Sequence, residues 1–232
     1  MMLSRDKVLS KQVLTYHRIP TPQFALFRRG RRYRLSKKLT YPLFVKSATE
    51  DASLGISQAS IVEDRARLQE RIDFIHEHTK TDALVEEYIE GRELYVALDG
   101  NERLTTYPVW EMDFGTLPDV MAGIATRKVK WDRKYQQKHG IRTGKAAELS
   151  PATEEQLGRY SKRIYRALHL SGYARMDFRL RPDGRVYLLE ANCNPNLSKN
   201  EDFAAAAANG GVAYEALLER LAEQSEHSLR PA

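Results

Sequence analysis

The chain has 232 residues, 42% of them hydrophobic and 29% charged, enough for one large or two small packed domains of an ordinary globular protein. No apolar run approaches the ~20 residues that span a bilayer. The opening MMLSRDKVLSKQ lacks the apolar core of a signal peptide, and a lone Cys193 excludes an internal disulfide, so a cytoplasmic setting is expected. The net charge of +6 is local, because Arg28, Arg29, Arg31, Arg32, Arg34, Lys37 and Lys38 carry more than the whole excess.

In chain order, Asp6 to Tyr16 has a helical spacing, with Val8, Leu9, Val13 and Leu14 as the expected apolar stripe. Ile19-Pro20-Thr21-Pro22 ends it and leads into a strand, Gln23 to Arg28. The basic cluster reads as a solvated hairpin turning at Gly30, flanked by Phe24, Leu26 and by Tyr33, Leu35; a nucleic-acid patch is the less favoured reading. Tyr41 to Lys46 is a short apolar strand ending in lysine, and Ser47 to Ser57 is small, acidic and lid-like. Ser60 to His78 is a helix with Ile61, Leu68, Ile72 and Ile75 on one face. Two strands follow between Ala83 and Leu98, interrupted near Gly91, with Leu94, Val96 and Leu98 inward and Glu93 outward. Thr105 to Lys130 holds a further strand and an irregular stretch; Lys134 to Lys145 reads as a basic surface loop. Ser150 to Leu170 is a second long helix, with a capping-box spacing at Thr153 and Gln156. The Ala-rich Asp202 to Asn209 and an amphipathic Tyr214 to Gln224 close the folded part, leaving 225–232 as a loose tail.

The most informative stretch is Tyr173 to Asn196, YARMDFRLRPDGRVYLLEANCNPN. Ala174, Met176, Phe178 and Leu180 alternate with Arg175, Asp177 and Arg179 in the period-2 pattern of a strand. Arg-Pro-Asp-Gly supplies the turn, and folding back brings Asp177 within a residue or two of Glu190. Asn192 shares parity with Glu190. Two carboxylates and an amide offer the oxygen ligands that a hard divalent cation requires. Arg175, two residues before Asp177, is suited to stabilising developing negative charge. Cys193 lies beside these residues without a base partner and reads as a bystander.

With Phe44-Val45-Lys46, Val85 to Glu93 (VEEYIEGRE), Lys130-Trp131, Arg175-Met176-Asp177 and Leu189 to Pro195 (LEANCNP) in view, the chain resembles the ATP-grasp superfamily, and within it the D-alanine–D-alanine ligases. The resemblance implies an α+β fold of two lobes clasping a nucleotide: an N-terminal lobe over 1–85 and a C-terminal lobe over 86–224. It implies ATP phosphates held by Lys7 and Lys46, and an adenine site at Glu86, the Glu87 carbonyl and the Ile89 N–H. Glu93 matches the ribose-binding carboxylate, and Lys130 a lysine reaching the γ-phosphate. Asp177, Glu190 and Asn192 match ligands of two Mg²⁺ ions, with Mn²⁺ as a substitute, and Arg175 matches the transition-state arginine. The implied reaction joins a small carboxylate to an amine through an acyl phosphate.

Five departures accompany the resemblance. The family's N-terminal domain has no counterpart here, so a fragment of a longer protein or a separate N-terminal-domain-like partner is the expectation; a homodimer is a further expected association. Pro195 is followed by Asn196 where the family has glycine, and Glu201 stands where the family has a serine for the acceptor's carboxylate. Ala52 and Trp131 replace the usual serine and tyrosine. The alternative expectation is a non-catalytic ATP-binding protein or a fragment that needs a partner domain.

Overall fold

The computed structural model describes residues 2–32, 34–49, 56–116, 126, 129 and 132–228. Helices α1 (Met2–Arg5) and α2 (Lys7–Tyr16) lead into strands β1 (Phe24–Phe27), β2 (Leu43–Ser47) and β3 (Ile61–Val62), then α3 (Arg65–His78) and β4 (Ala83–Glu87). Strands β5 (Arg92–Asp99), β6 (Thr105–Thr106) and β7 (Trp110–Asp113) follow, then α4 (Arg133–His139), β8 (Arg142–Lys145) and α5 (Pro151–Ala167). The hairpin of β9 (Tyr173–Leu180) and β10 (Val186–Asn192) precedes α6 (Asp202–Asn209) and α7 (Tyr214–Ser228).

The strands form two sheets whose recorded pairings are all antiparallel. The smaller has the order β1-β4-β2-β3, and its apolar face, with Leu43, Val45 and Val85, packs on Leu68, Ile72 and Ile75 of α3. Each of these fully buried aliphatic side chains contributes about 1.5–3 kcal/mol of hydrophobic stabilisation. The larger has the order β10-β9-β5-β7-β8, with β6 joined to β5. One face of β5 and β9 (Leu94, Val96, Leu98, Ala174, Met176, Phe178) rests on Leu157 and Ile164 of α5 and on Leu168 just past its end, and Leu14 of α2 joins that core. The opposite face is also covered at one end, where Ala97 meets Phe203, Ala206 and Leu217 of the last two helices.

Several sequence expectations are corrected here. The basic cluster is not a strand hairpin: β1 pairs with β4, and the segment after it crosses as irregular chain, with Leu35 and Leu39 packed on the small core. Tyr33 lies outside the described residues. Helix α3 begins at Arg65, because Asp64 caps it by accepting from Arg67 N and Ile61-Val62 pairs with β2 instead. Residues 133–145 form a helix and a strand rather than a loop. Asp132 caps α4 by accepting from Tyr135 N, and Gly140 ends it at φ +66°, a left-handed position that glycine takes without strain. The cap of α5 is Ser150, which accepts from Thr153 N. In α2 the buried residues are Lys7, Ser10, Lys11 and Leu14, while Leu9 is exposed. Helix α7 runs on to Ser228, past the expected end at Gln224; of the tail, 229–232 lie outside the described residues, as do 50–55 of the lid-like segment.

Candidate functional site

The inward turn of α2 follows from its cap. The Asp6 carboxylate accepts from Val8 N and Leu9 N at 2.9 Å each, and Lys7 N donates to Ala48 O just beyond β2. That seating points Lys7 and Lys11, one turn apart on the same helix face, into the protein. Lys11 Nζ stands 2.9 Å from Glu86 Oε1, and Lys46 Nζ is 3.0 Å from Glu86 Oε2. Lys46 and Glu86 reach each other because β2 and β4 are neighbours with Phe44 opposite Glu86. All three side chains are buried. Burial works to raise the Glu86 carboxyl, but the two ammonium groups outweigh it and hold Glu86 below the usual carboxylate range. Burial pushes Lys11 down, and Lys46 adds to the effect; the one carboxylate it shares with Lys46 does not compensate. This cluster has more cation than anion.

The second cluster lies on the β5–β9–β10 face opposite the α5 core. Tyr95 pairs with Asp177 and Glu93 with Arg179 across β5 and β9, while Glu190 pairs with Asp177 and Asn192 with Arg175 across β9 and β10. The register shift between Leu188 and Glu190 is what sets Glu190 opposite Asp177. Arg175 grips Asp177 in a two-point fork, Nε to Oδ1 at 2.7 Å and Nη2 to Oδ2 at 2.9 Å, and its Nη1 lies 3.8 Å from Asp202 at the start of α6. Burial disfavours the Arg175 charge, but Asp177 more than offsets this and keeps the guanidinium charged above its ordinary range. Glu93 is buried, not outward: Tyr95 donates to its Oε1 at 2.7 Å and Arg179 to its Oε2 at 2.6 Å. Alternation assigned Glu93 correctly to the face opposite Leu94, yet that face is covered as well. Arg179 also donates to Gly91 O at the turn between β4 and β5. Gly91 has φ +142°, and a Cβ there would lie 2.1 Å from Leu180 O, so the turn closes only with glycine.

One contact joins the two clusters. Lys7 Nζ lies 3.3 Å from Glu190 Oε1, linking α2 to β10 beside a small crevice lined by Ser4, Lys7, Lys11 and Glu190. The structure thus pairs Lys46 with Glu86 and Lys7 with Glu190, the two pairs flanking Lys11 and its crevice, and sets Arg175, Asp177 and Asn192 on adjoining strands. Asn192 Oδ1 accepts from Asn194 N at 2.9 Å. Among the described residues no group of three His, Cys, Asp or Glu is placed to hold a metal ion; the oxygen-bearing groups that β9 and β10 bring near one another are Asp177, Glu190 and the Asn192 amide. That all-oxygen set suits a hard divalent cation. The Glu87 side chain turns away, 3.9 Å from Arg181, and Ile89 is buried. Lys130 and Trp131 lie outside the described residues. Sequence reasoning missed Lys11, Tyr95, Arg179 and Asp202; for Lys11 the signal was its i+4 spacing from Lys7.

Glu201, where a serine was expected by resemblance, is the residue before α6 and makes no side-chain cap bond. Burial, with Asp202 beside it, raises its carboxyl above the ordinary range. Asn196 Oδ1 accepts from Ser198 N and Oγ, which fixes the loop ahead of it.

The family model described as "D-ala D-ala ligase C-terminus" matches residues 13–223. An uncharacterized protein of Sinorhizobium fredii, y4sG, is 34% identical over 216 residues, which cover 93% of this chain and 61% of that protein. A D-alanine–D-alanine ligase of Desulfotalea psychrophila is 31% identical over 229 residues, covering 95% and 66%. The crystal structure of D-alanine–D-alanine ligase from Bacillus anthracis complexed with ATP is 24% identical with a TM-score of 0.77, over 97% of this chain and 67% of that one. This chain therefore spans about three-fifths to two-thirds of the length of these curated relatives. No helix among the described residues is long and apolar enough to cross a membrane.

Proposed function

Because this chain belongs to the D-ala D-ala ligase C-terminus family and has the ATP-grasp fold, we propose that it joins a carboxylate to an amine with ATP as the third substrate. The observation that carries this reading is the Lys7–Glu190 contact. It sets one lysine suited to a polyphosphate directly against one carboxylate suited to a metal, the juxtaposition that phosphoryl transfer demands.

In this reading Lys7 and Lys46, joined by Lys11, bind the phosphates as compact point charges. Glu86, the Glu87 carbonyl and the Ile89 N–H face the adenine, and Glu93 accepts the ribose hydroxyls. Lys130 reaches the γ-phosphate. Asp177, Glu190 and Asn192 hold Mg²⁺, two ions in the full arrangement and Mn²⁺ as an alternative, and the bound metal would supply charge neutralisation at the phosphate oxygens. A carboxylate oxygen of the first substrate attacks the γ-phosphorus, and ADP leaves, giving an acyl phosphate. The amine nitrogen then attacks the acyl carbon, phosphate leaves, and the nitrogen loses a proton to complete the amide. Arg175 stabilises the oxyanion of this second step, already oriented by its fork to Asp177.

The acceptor side differs from that of a dipeptide ligase in this reading. Glu201 next to Asp202 sets negative charge where a free carboxylate would arrive, so the acceptor is an amine lacking a carboxylate at that subsite. The test is ADP and phosphate release from Mg-ATP in a panel of carboxylates paired with D-alanine and with uncharged or cationic amines. Turnover with the latter and not with D-alanine is expected. Strong turnover with D-alanine alone would refute the altered acceptor, and binding of Mg-ATP without hydrolysis in any pairing would refute the ligase.

A further inference from the structure

Tyr95 is placed between the proposed nucleotide end, at Glu93, and the proposed transfer end, at Arg175. Its side chain is 1% exposed, and its hydroxyl donates to Glu93 Oε1 at 2.7 Å. Its ring lies beneath the Arg175 guanidinium, 4.6 Å from centroid to Cζ, a cation–π contact made in a desolvated setting. It stands opposite Asp177 in the β5–β9 register, so the fork that Arg175 makes to Asp177 is closed directly above it. From below the ring is held by Met112, Val129 and Ile141, and the hydroxyl also lies 3.7 Å from Met112 Sδ. Burial and the neighbouring carboxylates of Glu93 and Asp177 keep the phenol protonated, so it is a donor throughout the ordinary pH range. A leucine or threonine would fill the β5 position equally well as strand residues. Neither would reach Glu93 and underlie Arg175 together.

We propose that Tyr95 is a positioning residue serving both ends of the site, its hydroxyl orienting Glu93 and its ring holding Arg175 against Asp177. This rests on the reading of Glu93 as the ribose carboxylate and Arg175 as the oxyanion partner. The two halves separate by substitution. Tyr95→Phe keeps the ring and removes the donor, whereas Tyr95→Leu removes both.

The experiment measures nucleotide affinity and, in the substrate panel, KM and kcat, for the full chain and both variants. Tyr95→Phe is expected to weaken ATP binding by about ten-fold, the effect of one hydrogen bond to a charged group, with kcat nearly unchanged. The same substitution is expected to leave binding of 2′,3′-dideoxy-ATP unaltered, since that nucleotide offers Glu93 no ribose hydroxyl. Tyr95→Leu is expected to lower kcat by about ten-fold as Arg175 loses its platform, and the Phe variant restores it. Equal losses for ATP and the dideoxy nucleotide, or equal kcat losses in both variants in step with a lower melting temperature, would make Tyr95 a packing residue and overturn the proposal. If the parent chain turns over no pair, the ligase reading fails on its own. The comparison of ATP with its dideoxy analogue then still decides the Glu93 half, and an unchanged ratio in Tyr95→Phe overturns the proposal.

Discussion

On the small-sheet side of the site, Lys11 and Lys46 close on Glu86, with Lys7 one helical turn away; on the large-sheet side, Arg175 and Arg179 stand among Glu93, Asp177, Glu190 and Asp202. The first group has three cations for one anion and the second has four anions for two cations. Taking charges out of water is expensive, and an unbalanced buried cluster is left with charge that its own partners do not neutralise. The difference agrees with the ligands proposed for the two sides. The lysine side is short of negative charge and fits a polyphosphate, and the strand face is short of positive charge and fits metal cations. Lys7 against Glu190 is where one imbalance partly cancels the other.

The largest expected effect comes from removing the anion that the lysine side depends on. Glu86→Ala leaves Lys11 and Lys46 buried without their carboxylate and is expected to cost about 3–5 kcal/mol in urea unfolding. Inorganic triphosphate should restore part of that loss by replacing the missing charge. Asp177→Ala should cost less, because Arg175 retains Asp202 and the Tyr95 ring, and triphosphate should not rescue it. Equal losses with equal rescue would show that charge imbalance does not distinguish the two sides.

Next in size is Arg175→Ala. If Arg175 acts on the oxyanion of the transfer step, turnover in the substrate panel falls roughly 10²–10³-fold, the usual effect of deleting one such donor. Mg-ATP affinity should hardly change. A loss confined to ATP binding would move Arg175 from the transfer end to the nucleotide end.

How much of this the sequence discloses depends on which physical signal each residue leaves. The β9–β10 hairpin is readable to within a residue or two because Arg181 to Gly184 turns sharply and β9 alternates, but the bulge that sets Glu190 opposite Asp177 leaves no sequence signal. Lys11 is hidden by the apolar spacing of α2, which makes Val8, Leu9, Val13 and Leu14 the expected buried stripe, whereas Leu9 is exposed and Lys7 and Lys11 are buried. The Asp6 cap and the pull of Glu86 reverse that expectation, and charge pairing between distant elements is invisible to periodicity. Glu93 fails for a related reason. Alternation says which residues share a face, not whether that face is wet, and here both faces of β5 are covered. Helix α4 was lost in a run of basic residues without apolar spacing, although Asp132 and Gly140 mark its two ends.

The smallest effects are in the pH dependence of stability, and they differ in sign between the two sides. Glu86 has a carboxyl lowered from 4.5, so its contribution is complete above that pH and is lost as the pH falls through the lowered value. Glu201 is raised from 4.5, so its contribution is complete below that pH and is lost as the pH rises through the raised value. Glu86→Gln should therefore flatten the acid limb of the stability curve. Glu201→Gln should stabilise the protein slightly at neutral pH and not at pH 4, a small gain because Glu201 is only partly buried and its charge is screened. The same variant removes the charge beside Asp202, so it should also admit D-alanine as an acceptor where the parent chain excludes it. A stability gain at neutral pH without any change in acceptor choice would leave Glu201 as a strained surface acid, and the acceptor would have to be set by other residues around α6.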